Sequence, residues 1–318
     1  MNRRDFLVTT SAAFSLSFLA RGSLFGQNAT PAASAPAPAP AAPTPPPVKV
    51  EFKDLRRGVG LFTGRGGTIG WLSNKDALVA VDTQFADTAA QFLAGLPGRD
   101  GRMLDAVIDT HHHWDHTGGN ATLRPAAKKL VAHEAVPALQ KAAAARSPQL
   151  GEPTIPDTLF SDTWRMDVGD EVVSAKFFGP SHTGGDIAVH FEKANVVHTG
   201  DLVFNRLYPV TPKVDGCKMQ HWRDVLPQLA AHYPADAIYI FGHGNPKFGV
   251  TGTKADVLAM AGFLDALIAH VAAGIKAGKS KAEIVTQQNL DAFPDYHAAQ
   301  NSRLPGNLGT IYDELTGA

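Results

Sequence analysis

The chain has 318 residues, 44% hydrophobic and 19% charged, enough for a full-sized core that needs no metal or disulfide merely to fold. Lys and Arg total 29 against 30 Asp and Glu; the net charge of -1 gives no electrostatic footprint for nucleic acid or anionic lipid. One cysteine, Cys217, excludes a disulfide scaffold and reads as a buried free thiol, whereas thirteen histidines point to chemistry carried by imidazole and carboxylate.

The first residues read as an address. Arg3 and Arg4 precede Phe6, Leu7 and a mild apolar stretch from Val8 to Ala20, too short to span a bilayer comfortably. Arg3-Arg4-Asp5-Phe6-Leu7 resembles the twin-arginine motif, so residues 1–30 are expected to be a signal peptide, cut between Gly22 and Ala35. That predicts passage through bacterial export machinery, a periplasmic or secreted mature protein, and no stable membrane span after processing; an ordinary secretory signal or an uncleaved anchor is the alternative. Residues 31–47 are almost only Ala and Pro, which cannot bury a core and favour extended polyproline II, so they are expected to form a semi-rigid linker. The folded domain is expected over residues 48–318.

Short β-prone runs come first: Val48 to Phe52, Gly58 to Thr63, Thr68 to Ser73 and Ala77 to Val81, punctuated by glycines and Asn74-Lys75-Asp76. A helix is expected from Asp87 to Leu96, a buried strand over Ala106 to Ile108, then a histidine cluster and a helix from about Gly119. Leu130 to Ala132 reads as a strand and Ala135 to Ala145 as a helix. A second series follows, with strands at Glu171 to Phe178, Ile187 to Phe191, Val196 to His198 and Ala237 to Phe241. Helices are expected near Gln220 to His232 and from Lys254 to Ala273, the latter with Val257, Phe263, Leu264, Leu267 and Val271 on its apolar side. Two groups of strands, each interleaved with helices, predict an α/β domain of two sheets packed face to face with helices outside.

The strongest chemical signal is Thr110-His111-His112-His113-Trp114-Asp115-His116-Thr117-Gly118-Gly119, directly after a strand, where sites gather in α/β proteins. In an extended or turning loop, His111 and His113 project to one side and can bind one metal, while Asp115 and His116, one turn on, can reach a second. Three later positions repeat the context of a strand end flanked by glycine: His182 before Gly184-Gly185, Asp201 after Gly200, and His243 between Gly242 and Gly244. Strand ends fix position, and glycines let a loop approach an ion closely.

With these motifs in this order, from about Val59 to Gly244, the chain resembles the metallo-β-lactamase superfamily, and within it the binuclear hydrolases such as glyoxalase II and the lactonases. The resemblance implies a four-layer αββα sandwich. It implies that His111, His113 and His182 bind a first metal, that Asp115, His116 and His243 bind a second, and that Asp201 bridges both. Asp82, at the strand end Val81-Asp82-Thr83, would support the site by hydrogen-bonding a ligand or a neighbouring loop. This donor set suits two Zn2+ ions, with Fe or Mn possible at the Asp-bearing position. Such a pair should share a hydroxide able to attack a carbonyl carbon, with Asp115 also steering that nucleophile or passing on its proton.

The expected activity is therefore hydrolysis of a small-molecule ester, lactone, thioester or amide. The alternatives are a mononuclear iron, sulfur-oxidising dioxygenase of the same superfamily and a non-catalytic periplasmic metal-binding module. The best-known β-lactamases carry Cys or Ser where Asp201 stands, which disfavours a dedicated β-lactamase, and His113 stands where the flavin-linked di-iron reductases have glutamate. His112, between two ligands, is expected to point away, and His133, His190, His198, His221, His232, His270 and His297 are read as surface or packing residues. Trp71, Arg206 and Tyr208 are candidates for lining the substrate cleft.

Overall fold

The computed structural model describes residues 48–296 and 303–318. The expected signal peptide and linker, and His297, therefore lie outside the described residues. The first sheet contains β1 (Glu51–Arg56), β2 (Val59–Thr63), β3 (Ile69–Ser73), β4 (Leu78–Val81), β5 (Ala106–Ile108), β6 (Leu130–His133) and β7 (Thr158–Phe160), side by side in that order. The first four form an antiparallel meander, and β4 to β7 run parallel. Between them come helices α1 (Ala86–Gly95), α2 (Trp114–Thr117), α3 (Asn120–Leu123) and α4 (Val136–Arg146). In the second sheet β8 (Thr163–Val168), β9 (Glu171–Phe177), β10 (Ile187–Phe191) and β11 (Val196–His198) form another antiparallel meander. A two-residue strand, β12 (Phe204–Asn205), and helix α5 (Met219–His232) precede β13 (Ile238–Ile240), which adds parallel to β11. Then β14 (His243–Gly244) pairs with β12, β15 (Thr251–Gly252) closes the edge beside β13, and α6 (Lys254–Lys276), α7 (Lys281–Ile284) and α8 (Arg303–Thr316) follow.

Side-chain alternation turns this order into layers. In β4, Val79 and Val81 point into an apolar cluster shared with Val173, Ile187, Val189 and Val196 of the second sheet. Leu78 and Ala80 point the other way, against Ala89, Phe92 and Leu96 around α1 and Leu123 of α3. A strand buried on both faces needs a continuous apolar run, which is why Leu78 to Val81 is apolar at every position. The outer face of the second sheet, through Ala188, Val197 and Tyr239, packs on α5, α6 and α8. Three apolar clusters thus separate four layers, αββα, as expected. Helix α6 is long and apolar enough to cross a membrane, but Phe263, Leu264, Leu267 and Val271 are buried against its neighbours, so it serves as a core helix.

This topology positions the site. The parallel strands β4 and β5 end at Asp82 and at the histidine loop, and the parallel pair β11 and β13 ends at Asp201 and His243. Tips of both sheets therefore open onto one edge of the sandwich.

Candidate metal centre

Three imidazoles converge from two sheets. His111 Nε2 lies 3.1 Å from His113 Nδ1, His182 Nε2 lies 3.0 Å from the same atom, and Asp201 Oδ2 stands 3.4 Å from His182 Nε2 and 3.8 Å from His111 Nε2. Beside them, Asp115 Oδ2 is 3.0 Å from His243 Nε2 and 3.7 Å from His116 Nε2, and the two Nε2 atoms are 3.3 Å apart. Asp201 joins the groups, with Oδ1 at 3.1 Å from His116 Nε2 and Oδ2 at 3.5 Å from His243 Nε2. All seven residues expected from the sequence are thus brought together, as two sets, each compact enough for one ion. The chemistry of the donors fits metal. Three imidazole nitrogens aimed at one point cannot satisfy each other as donors and acceptors, whereas a cation at that point accepts a lone pair from each.

The surroundings fix which nitrogen faces inward. The Asp82 carboxylate accepts from His116 Nδ1–H at 2.7 Å, leaving Nε2 for the centre, and also accepts from the Thr110 backbone N–H and hydroxyl at 2.7 and 2.8 Å. Asp82 does this from a left-handed conformation with φ of +65°, one that aspartate adopts more readily than most residues. Across the site, Asp215 Oδ2 accepts from His113 Nε2–H at 3.2 Å and so turns Nδ1 inward. Asp186 accepts from both the backbone N–H and the hydroxyl of Thr183, at 2.6 and 2.7 Å, which shapes the loop that carries His182. Two glycines are required by close approach: a Cβ at Gly242 would fall onto the Asp201 carboxylate, and one at Gly67 onto the His116 ring.

Electrostatics divides the two sets. Burial, reinforced by neighbouring imidazoles, holds His111 well below the ordinary histidine range and lowers His182 to about 3, so both present lone pairs. Burial opposes charge on His243 and His116 as well, but Asp201 and Asp115 outweigh it, raising His243 to about 9 and His116 well above its usual value. Burial would raise the Asp201 and Asp115 carboxyls, yet the imidazoles around them hold both well below the carboxylate range.

The site forms one end of a cavity of about 410 Å3. Asp115, Asp201 and His243 face it, its wall carries Ala143, Ala144, Leu150 and Pro153, and its rim carries Val210 and Val214. Three residues expected at this cleft are elsewhere. Trp71 is buried in the layer beneath α1, paired across the sheet with Gly60, whose missing Cβ makes room for the indole. Tyr208 is buried against α6, its ring stacked 5.5 Å from Phe263. Arg206 pairs with Asp256 at 3.3 Å and lies over Phe248, turned from the cavity toward α6. His112 is also corrected: it lines the cavity and sets Nε2 3.5 Å from Asp215 Oδ1 rather than pointing away. His198 is buried as a structural residue, bonded to the Thr68 carbonyl at 3.0 Å and accepting from Gly200 N–H. Asp215 and its partner Arg146 carry no local signal in the sequence, since neither sits in a motif and only the fold brings them to His113.

A profile of the metallo-beta-lactamase superfamily matches residues 62–243, more than half of the chain and the span that holds every residue of the centre. The chain belongs to the metallo-beta-lactamase superfamily. It is an enzyme of that superfamily's hydrolase class. Hydroxyacylglutathione hydrolase of Cereibacter sphaeroides is 31% identical over 199 residues, 58% of this chain and 69% of that protein. The enzyme of the same name from Ruegeria pomeroyi is 35% identical over 161 residues; there the chain spans about half, 55%, of its relative. Among solved structures, a metallo-beta-lactamase from Pontibacter korlensis superposes with a TM-score of 0.55 at 18% identity, covering 68% of this chain and 99% of its own. A double mutant of the sec-alkyl sulfatase PisA1 reaches 0.66 at 17% identity, covering 85% of this chain and 50% of its own. At such identities the two structures speak for the superfamily's fold alone.

Proposed function

We propose that this chain is an exported, binuclear zinc-dependent hydrolase of a small ester, lactone, thioester or amide. The supporting observation is the pair of ligand sets joined through Asp201, open to a cavity beside Asp115. His111, His113 and His182 would hold one ion, Asp115, His116 and His243 the other, and Asp201 both. When bound, the two ions supply Lewis acidity toward a carbonyl oxygen and make a water nucleophilic near neutral pH.

The chain's own groups supply orientation and proton handling. Asp82 and Asp215 hold the outer nitrogens of His116 and His113, so the rings need not reorganise during turnover. Among the seven, Asp115 has the most open side chain, 32% exposed, so its ionised carboxylate faces the cavity and can accept a hydrogen bond from an incoming nucleophile. The apolar part of the wall excludes water from an acyl group seated there. The name of the two relatives makes S-acyl glutathione compounds the first substrates to assay.

The test is metal quantification on purified protein with a panel of chromogenic esters, lactones, cephalosporins and thioesters. About two Zn per chain and hydrolysis that chelators abolish are expected. One Fe per chain with O2 uptake on a sulfur compound would replace this reading with the dioxygenase, and stoichiometric metal without turnover would leave a binding module. Export rests on residues 1–30: conservative replacement of Arg3 and Arg4 by lysine should hold a tagged chain in the cytoplasm if the twin-arginine route is used.

A further inference from the structure

Beside the two ligand sets joined by Asp201, a third group of donors converges at the cavity. His112, His113 and Asp215 each offer one atom, and the three atoms lie within 4.8 Å of one another. His113 Nε2 stands 3.2 Å from Asp215 Oδ2, and His112 Nε2 stands 3.5 Å from Asp215 Oδ1. Donors bonded to one tetrahedral zinc at about 2.0–2.2 Å are roughly 3.3–3.6 Å apart, so this spacing suits an ion. Both ring nitrogens of His112 are buried, and neither has a hydrogen-bond partner among the described residues. All three residues line the cavity, so the group is not sealed from solvent. What stands at this corner is a side-chain cation. Arg146 ends α4 and bonds its guanidinium to Asp215 Oδ1, the oxygen nearer His112. The carbonyl end of a helix favours positive charge, which helps to keep the guanidinium there.

We propose that Arg146 is a guard against a third metal ion: its guanidinium serves as the cation beside Asp215 and His112, and so limits the centre to two ions. The inference rests on the binuclear reading above and concerns which further ion the centre refuses. Arginine is not deprotonated in proteins, so the guarding charge persists at every working pH and repels a dication. Its bond also engages the Asp215 oxygen that is not committed to His113. A third ion would harm the centre. It needs His113 Nε2 as a lone pair, whereas Asp215 holds that nitrogen protonated so that Nδ1 serves the first ion. An ion at the third position therefore displaces the Nε2 proton to solvent and loosens a ligand of its neighbour.

The experiment counts zinc by elemental analysis after equilibrium dialysis of the full chain against buffered free zinc. R146Q should hold one ion more per chain than the wild type. R146M, of similar length and also uncharged, repeats the count should R146Q not fold. R146K keeps a cation beside Asp215 and should return to the wild-type number. Adding H112F to R146Q should do so as well, which places the surplus ion on His112. Wild-type stoichiometry in both R146Q and R146M would overturn the proposal, as would a surplus ion that persists once His112 is replaced. A second arm reads turnover: excess zinc should slow R146Q about tenfold or more and leave the wild type unaffected. Equal sensitivity of the two would count against the guard. Because the count is a difference between variants, a wild type with fewer than two zinc ions would sink the binuclear reading, and the surplus in R146Q would still decide Arg146.

Discussion

Asp215 grips His113 by its outer nitrogen, Oδ2 to Nε2 at 3.2 Å, although 102 residues separate them in the chain. The carboxylate is nearly buried, is shared with Arg146 and approaches His112, so its position is set from three sides. Replacement by asparagine keeps the shape but can no longer enforce the tautomer that aims Nδ1 at the first ion. D215N should therefore lose about 10–100-fold in affinity for that ion, read by competition with a chromophoric chelator. Wild-type affinity at both positions would show that His113 is oriented by packing alone.

Asp115 is the partly open member of its set, so its loss should harm turnover more than folding. With zinc supplied in excess, D115A is expected to keep a cooperative melt near that of the wild type while kcat drops by about 100-fold or more. An unchanged kcat in the fully metallated variant would remove Asp115 from the chemistry.

Gly242 lets Asp201 sit between the two sets. A methyl group there meets the Asp201 carboxylate, with the Gly200 carbonyl carbon at 2.8 Å and the Asp201 nitrogen at 3.0 Å, so the clash is with backbone as well. G242A should cost about 1–3 kcal/mol in urea unfolding and reduce the zinc content at both positions together. Loss of one ion alone would contradict Asp201 as their common ligand.

Cys217 is free and buried, and burial together with nearby Asp186 and Glu314 raises its thiol well above the ordinary value of 9.0. Above that value the unfolded chain has released the proton and the folded chain still holds it. The native state then binds more protons, and stability falls as pH rises. C217A should therefore flatten part of the decline in unfolding free energy from about pH 9 upward, and native wild-type protein should resist thiol alkylation at about pH 8. Rapid native-state alkylation would refute the burial argument.

The sequence shows some parts of this molecule sharply and others not at all. Ala106 to Ile108, Ile187 to Phe191 and Val196 to His198 are found with the expected ends, because nearly all of their side chains are buried and apolar. Strands β7 and β8 escaped notice because they alternate between half-buried and exposed positions with little apolar signal. Helix α8 escaped because Pro305, Gly306 and Gly309 argue against a helix locally, and burial of Leu304, Leu308 and Ile311 overrides them. The site divides the same way. Groups set in glycine-flanked motifs at strand ends could be picked out beforehand. Asp215 and Arg146 could not, since each gains its meaning from a neighbour far away in the chain. Trp71 failed as a candidate for a related reason: a strand's two faces look alike in sequence when both are buried, and Trp71 lies on the face away from the cleft.

The coordinating groups are divided between the layers, His111, His113, Asp115 and His116 from one sheet, and His182, Asp201 and His243 from the other. Each ion set is closed by at least one residue from each side, so neither half of the polypeptide possesses a finished socket. A bound pair of ions would then act as a clasp across the seam, and stripping it with a chelator should loosen the two halves against each other before either one melts. Retention of metal through a desalting column would in that case certify that the halves have docked, which makes it a sensitive quality check for any variant of this enzyme.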